Sequence, residues 1–284
     1  MTQVQEALRQ ASQTLRNDGV ESPRLDAELL LVHVLGVKRA SILAWPERRL
    51  TPKEFTAYRD LVARRAAREP LAYIVSHREF FGLDFAVDSR VLIPRPETEF
   101  LVERALHIAQ TLIKPRVADL GSGSGAIVVS LAVHLPSAIL YALDGSAGAL
   151  AVTADNARRH GVEDRICCLL GDLLRPLPEP VDLITANLPY VTTEEWEALP
   201  PEIRRYEPRA ALDGGPDGLA LIRRLLLAAG SYLRPGGAVL VEIGASQGAA
   251  VTALAQQSFA HARVRLWKDY AGLDRLVAVN TGES

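Results

Sequence analysis

The stretch "VADLGSGSGAIVVSLA", residues 117–132, decides the fold. Val117–Leu120 has the length and apolarity of a buried strand, and the run from Ala126 reads as a helix. Between them Gly121, Gly123 and Gly125, spaced by Ser122 and Ser124, allow a tight turn and close approach of a ligand to the backbone. The helix that follows offers free N–H groups at its N-terminus. The loop alone does not choose its ligand, because "GSGSGA" also fits the dinucleotide pattern G-x-G-x-x-A.

Outward from this unit, strands and helices alternate from about residue 97 to the end. Candidate strands are Val117–Leu120, Ile139–Asp144, Arg165–Leu170, Asp182–Ala186, Ala238–Ile243, Val264–Trp267 and Arg275–Val279. Apolar strands separated by helices predict an α/β domain, a Rossmann-like, mostly parallel sheet of seven strands covered on both faces. Only "KDYAGLD" links the last two strands. That is too short for a crossover helix, so they are expected to pair antiparallel.

The front of the chain is different. Residues 1–69 read as a helical domain. Val4, Ala7, Leu8, Ala11 and Leu15 keep helical spacing, Ser22-Pro23 resembles an N-cap and first-turn pair, and Gly36 is placed to end that helix. Thr51-Pro52-Lys53-Glu54 is a capping box with proline at the first helical position. Residues 70–95 form a linker: "REFFGLDFAV" alternates about Gly82 as a β-hairpin does, and "IPRP" is stiff and extended. The third domain is expected over 96–284.

Composition narrows the classes. Of the 284 residues, 48% are apolar and 23% charged, as in a globular protein. No apolar run approaches the roughly 20 residues that span a bilayer, and "MTQVQEALRQ" lacks the order of a signal peptide. A cytoplasmic location is expected. The net charge of −2 argues against nucleic acid as a stable partner. Residues 1–70 carry twelve Lys+Arg against nine Asp+Glu, a mild excess. Cys167 and Cys168 are adjacent and in a strand would face opposite ways, so no structural disulfide is expected. His33, His77, His107, His134, His160 and His261 show no ligand spacing, and no metal is expected. Trp45, Trp196 and Trp267 read as packing residues.

Two acids tilt the loop toward one ligand. Asp119, two residues before Gly121, would repel a pyrophosphate but suits a cation. S-adenosylmethionine carries an ammonium and a sulfonium. Asp144 closes the second strand, where a carboxylate can accept both ribose hydroxyls. Asp172 follows the third strand on the same carboxyl edge.

A second motif lies at 182–191, "DLITANLPYV". The strand stops at Asn187. Pro189 keeps Leu188 out of the helical region, so Asn187 Oδ1 and the Leu188 carbonyl form two convergent acceptors, with the Tyr190 ring as a wall. Such a site suits a planar –NH2 group, whose nitrogen is a poor nucleophile because its lone pair is delocalised. Holding both N–H bonds favours a more pyramidal nitrogen and aims the lone pair at an electrophilic methyl carbon. Orientation of this kind is worth several kcal/mol, and no strong base is needed, since the proton can leave after transfer. The loop "DGGPDG" (213–218) reads as a structural turn cluster.

At this point the chain resembles the PrmC/HemK glutamine N5-methyltransferases over nearly its whole length. The stretches that carry the resemblance are "SPRLDAELLLVHVLG" (22–36), "EPLAYIVSHREFFGLDF" (69–85), "VLIPRPETE" (91–99), "DLGSGSGAI" (119–127), "YEPRAALDGGPDGL" (206–219), "EIG" (242–244) and "KDYAGLDR" (268–275). The resemblance implies a seven-stranded class I methyltransferase domain behind a small helical domain and a hairpin linker. It implies S-adenosylmethionine as cofactor. The implied substrate is the glutamine of the Gly-Gly-Gln motif in class I peptide chain release factors, the partner that the front domain helps to recognise. By position, Gly121 to Gly125 would cradle the methionine part, Asp144 the ribose, and Asp172 with Leu173 the adenine surroundings. Asn187 and the Leu188 carbonyl would hold the substrate amide beside Pro189 and Tyr190. The family usually reads Asn-Pro-Pro-Tyr, so Leu188 is a departure that keeps the carbonyl and loses a fixed φ. A monomer is expected. Two other readings are a methyltransferase for an exocyclic amine of DNA or RNA, where the same acceptors would hold a flipped base, and a cofactor-binding module without catalysis.

Overall fold

The computed structural model describes residues 2–282. The chain divides into two compact units. One comprises Met1–His77 with Pro200–Tyr206, the other Arg78–Leu199 with Glu207–Ser284.

The first unit holds α1 (Val4–Asn17), α2 (Pro23–Leu35), α3 (Arg39–Ala44), α4 (Pro52–Ala66) and α5 (Leu71–Val75). Val4, Ala7, Ala11 and Leu15 are buried on one face of α1, as their three- and four-residue spacing requires. The capping box forms as read: Thr51 Oγ1 accepts from the Glu54 N–H, and Glu54 Oε2 accepts from the Thr51 N–H at 2.7 Å. Gly36 ends α2 in the left-handed region. Ser22 occupies the N-cap of α2, but its side chain makes no capping bond. Trp45, expected to pack, is 62% exposed. The segment Pro201–Tyr206 belongs to this unit through side chains: Glu202 accepts from Arg68 at 2.7 Å and from Arg65 at 3.3 Å, while Arg65 also donates to the buried Asp26 at 2.7 Å.

In the second unit, β1 (His77–Phe80) and β2 (Leu83–Ala86) make the hairpin. Phe81 and Gly82 both have positive φ, 51° and 72°, the two-residue turn whose twist matches the strands. Phe80 and Phe85 are buried in one of the cores of the main sheet.

That sheet contains β3 (Arg116–Leu120), β4 (Ile139–Asp144), β5 (Ile166–Leu170), β6 (Val181–Ala186), β7 (Leu233–Glu242), β8 (Arg263–Lys268) and β9 (Asp274–Asn280) in the order β5-β4-β3-β6-β7-β9-β8. The first five are parallel, and β9 runs antiparallel to both β7 and β8. The expected strands are all present. The largest difference is β7, which starts at Leu233 rather than Ala238. "RPGG" carries no apolar pattern, yet its backbone continues the ladder through an irregularity opposite Val181–Leu183. The helices of this unit are α6 (Glu99–Ala109), α7 (Ala126–His134), α8 (Ala147–Arg159), α9 (Thr193–Ala198), α11 (Ala220–Ala229) and α12 (Gly248–Ser258), with α10 the Pro201–Tyr206 segment above. Leu101, Val128, Leu131 and Leu150 of α6 to α8 cover one face of the sheet. Ile222, Leu225, Val251 and Ala255 of α11 and α12 cover the other. The order reverses between β3 and β6, so a crevice forms at their carboxyl ends, the place where open α/β sheets bind ligands. Among the described residues no helix is long and apolar enough to cross a membrane.

Candidate active site

The glycine loop is splinted from beneath. The Gly121 and Ser122 N–H groups both donate to the Leu143 carbonyl at the end of β4, at 2.8 and 3.2 Å. Ser122 Oγ donates back to the Asp119 carbonyl. From α8, Thr153 Oγ1 donates to the Gly123 carbonyl at 3.0 Å and Asn156 Nδ2 to the Ser124 carbonyl at 2.8 Å. Gly121 has φ +69°, and a β-carbon there would meet the Asn187 carbonyl oxygen at 3.2 Å and Leu188 Cδ2 at 3.4 Å. Glycine is therefore required twice at this position, for its conformation and for the approach of the second motif.

The acids stand at three neighbouring strand ends. Asp119 in β3 is fully buried, and its Oδ1 accepts from Thr185 Oγ1 of β6 at 2.9 Å. Among the described residues its Oδ2, also buried, has no hydrogen-bond partner. Burial, helped by the negative charge of Asp144, pushes the Asp119 carboxyl up to about 7. Asp144 at the tip of β4 accepts from the Gly123 N–H at 3.0 Å and the Ser146 N–H at 2.8 Å, tying the glycine loop to the start of α8. Asp172 is exposed and paired with Arg224 at 2.6 Å and Arg175 at 3.6 Å. Leu173 beside it has φ +50°, and the Gly171 N–H bonds the Asp144 carbonyl, so this loop leans on the end of β4.

Asn187 follows β6 directly. Its Nδ2 donates to Thr98 Oγ1 at 3.1 Å. Its Oδ1 accepts no hydrogen bond from the described residues. Leu188 is 3% exposed, its side chain set in the core beside α11 and α12. Tyr190 is part-buried, and burial raises its phenol pKa, so it stays a neutral donor; its Oη lies 3.4 Å from Glu242 Oε1. The turn cluster 213–218 acts on this backbone. The Gly214 N–H donates to the Val191 carbonyl at 2.8 Å and the Val191 N–H to the Leu212 carbonyl at 3.0 Å. Gln247 completes the brace, donating from Nε2 to the Tyr190 carbonyl at 2.8 Å and accepting from the Gly244 N–H.

The candidate cofactor and substrate residues thus lie at the carboxyl edge of β3 to β6. Six that reach them were given no role: Thr98 of "IPRPETE", Thr153, Asn156, Thr185, Glu242 of "EIG", and Gln247. Thr98 and Glu242 sat inside quoted motifs, which was the available signal.

A doubly wound sheet with a glycine loop after its first strand, a carboxylate closing its second and Asn-x-Pro-Tyr closing its fourth defines a methyltransferase. The first segment matches the family model described as the PrmC N-terminal domain over residues 6–75, and a methyltransferase small domain matches residues 96–199. The chain is 45% identical over 273 residues to the release factor glutamine methyltransferase of Moorella thermoacetica, covering 96% of each chain. It is 45% identical over 270 residues to that of Geobacter sulfurreducens, covering 94% of this chain and 93% of the relative. A crystal structure of a methyltransferase from Pyrococcus furiosus shares the fold, with a TM-score of 0.53, 17% identity, and coverage of 78% of this chain and 98% of the other. The chain belongs to the family of release factor glutamine methyltransferases.

Proposed function

We propose that this chain transfers the methyl group of S-adenosylmethionine to the side-chain amide nitrogen of the glutamine in the Gly-Gly-Gln motif of class I peptide chain release factors. The observation that carries the reading is Asn187: its amide nitrogen is held by Thr98 and its oxygen is left for a substrate N–H, on a chain related end to end to glutamine methyltransferases.

Two features fit the cofactor. Asp119 Oδ2 is a buried carboxylate oxygen without a partner among the described residues, a position that a ligand cation stabilises. The loop from Gly121 to Gly125, with Ser122 and Ser124, presents backbone where a β-carbon at Gly121 would crowd the second motif. Asp144 would hold the ribose, and Asp172 with Leu173 would lie beside the adenine. S-adenosylmethionine supplies the electrophilic methyl when bound. Asn187 Oδ1 and the Leu188 carbonyl accept the two substrate N–H bonds, Pro189 restrains that carbonyl, and Tyr190 walls the pocket. Each acceptor contributes roughly 1 kcal/mol or more if it bonds better as positive charge develops on nitrogen. The substrate nitrogen then loses its proton without a resident strong base. The helical segment 1–69 would recognise the release factor, with 70–95 as linker and 96–284 as the catalytic part, in a cytoplasmic monomer that needs no metal.

Incubation with labelled S-adenosylmethionine and either purified release factor, ribosomes or bare nucleic acid tests this. One added methyl on the Gly-Gly-Gln peptide by mass spectrometry is expected. Label confined to nucleic acid would replace the reading with base methylation.

A further inference from the structure

The backbone just after Asn187 and Leu188 is held more tightly than a loop requires. The peptide joining Tyr190 to Val191 is pinned at both ends: Gln247 Nε2 donates to its carbonyl at 2.8 Å, and its N–H donates to the Leu212 carbonyl at 3.0 Å. The next peptide is pinned in the same way. The Val191 carbonyl accepts from the Gly214 N–H at 2.8 Å, and the Thr192 N–H donates to Glu195 Oε2 at 3.0 Å. A planar peptide bonded on both sides cannot rotate without breaking one of its bonds. The 213–218 loop also closes on this stretch. A β-carbon on Gly214 would stand 2.5 Å from the Pro189 carbonyl oxygen. One on Gly218 would overlap the Tyr190 carbonyl oxygen and stand 2.6 Å from Gln247 Nε2. Gly214 has no positive φ, so there it is the approach, not a left-handed conformation, that calls for glycine.

Gln247 supplies a side chain fitted to this task. Its Oε1 accepts from the Gly244 N–H at 2.9 Å, just past the end of β7, and this bond aims Nε2 at the Tyr190 carbonyl. A side-chain amide can accept from an N–H and donate to a carbonyl at once. We propose that Gln247 and Gly214 are positioning residues for methyl transfer: by tying the chain after Pro189 to the end of β7 and to the 213–218 loop, they hold the Leu188 carbonyl at its place in the substrate clamp. The inference rests on the amide-clamp reading above and gives the 213–218 cluster, read in sequence as a structural turn, a part in it. The brace matters here because residue 188 is leucine. Pro189 restrains Leu188 from one side, but a leucine keeps the φ freedom that a proline would remove. The pinned peptides that follow take up that freedom. On the other side the Asn187 carbonyl abuts Gly121.

Full-length variants are assayed for single-turnover rate and cofactor Kd with release factor as substrate. Gln247→Met keeps the length of the side chain and removes both bonds. Gln247→Glu keeps the acceptor for Gly244 and turns an oxygen toward the Tyr190 carbonyl. Gly214→Ala crowds Pro189 and leaves Gln247 in place. Each should lower the rate about tenfold or more, the scale expected when a reacting group is displaced by a fraction of an ångström, with cofactor Kd changed less than about threefold. A wild-type rate in Gln247→Glu would assign the residue to the Gly244 turn alone and overturn the proposal. Leu188→Pro supplies the readout that a loss of packing would not move. In that background the loss caused by Gln247→Met should shrink to about threefold or less, because proline then fixes the dihedral itself. Equal losses in the two backgrounds overturn the proposal. A measurement on the ligand-free protein separates this from the clamp reading. Hydrogen exchange of the Val191 N–H, followed by NMR, should quicken several-fold in Gln247→Met. Unchanged exchange overturns the brace even if wild type methylates release factor. Quickened exchange with no methylation by wild type overturns the proposed activity and leaves the brace standing.

Discussion

Gly121 and Asn187 touch across the switch point of the sheet: a β-carbon on Gly121 would stand 3.2 Å from the Asn187 carbonyl oxygen. The loop expected to hold the cofactor and the loop expected to hold the substrate are thus one packed object, and Leu188 Cδ2 fills the same contact at 3.4 Å. Gly121→Ala therefore strains the backbone at φ +69° and pushes the second loop outward at once. The left-handed conformation alone costs about 1–2 kcal/mol for a residue with a β-carbon. The expected outcome is weaker cofactor binding by calorimetry and, in addition, a lower kcat at saturating cofactor. A variant that loses affinity but keeps wild-type kcat would show that the two loops work independently.

Asn187→Ala removes the outward oxygen and leaves the glycine loop untouched. Cofactor Kd should stay within about threefold, while kcat falls by about a hundredfold, the scale seen when one preorganised hydrogen-bonding group is taken from a transition state. Rapid-quench measurement of a single turnover would locate the loss in the chemical step. An unchanged single-turnover rate would remove the amide clamp.

Much of this architecture was legible because parallel strands buried on both faces read as short apolar runs, and glycine and proline mark their ends. Asp119, Asp144 and Asn187 could be placed at strand ends from sequence, and the strand order brings those ends together. What escaped were partners far away along the chain. Thr98 meets Asn187 across 89 residues, and Asn156 bonds Ala86 across 70. A polar residue mid-helix such as Asn156 or Thr153 gives no local sign that it braces a loop. The same holds for Glu202, which joins Arg68 across 134 residues. Trp45 misled because aromatic size predicts burial only on average.

Asp119 carries a pH signature. Its carboxyl is pushed up to about 7 by burial, against an ordinary value near 4. The folded state therefore holds this proton more tightly than the unfolded chain. Its contribution to stability is complete below pH ~4 and is lost as pH rises to about 7, with no further loss above. Glu242, also pushed up to about 7, acts with the same sign. The ligand-free protein should melt at lower temperature at pH 7.5 than at pH 5.5. A cationic cofactor reverses the preference at Asp119, because it favours the carboxylate. Cofactor affinity should rise with pH up to about 7 and then level, with proton release at pH 6 when calorimetry is run in two buffers of different ionisation heat. Asp119→Asn should weaken binding and reduce that release. Binding in wild type without proton release at pH 6 would detach Asp119 from the cofactor.

Leu188 separates the backbone's part in the site from the side chain's. The substrate acceptor expected at this position is a carbonyl, which every residue supplies, but the side chain is buried with the core beside α11 and α12. Leu188→Pro trades that packing for a fixed φ. Losing several buried methyl and methylene contacts costs about 2 kcal/mol, offset by about 0.4–1 kcal/mol from a stiffer unfolded chain. The net loss of about 1 kcal/mol corresponds to a fall in Tm of about 2–4 °C in a chain of this size. Because Pro189 already restrains the carbonyl, kcat should equal or exceed that of wild type. A tenfold fall in kcat with an unchanged Tm would give the opposite result: the Leu188 N–H or its contact with Gly121 would then be part of the site, and the residue could no longer be treated as a carrier for its carbonyl.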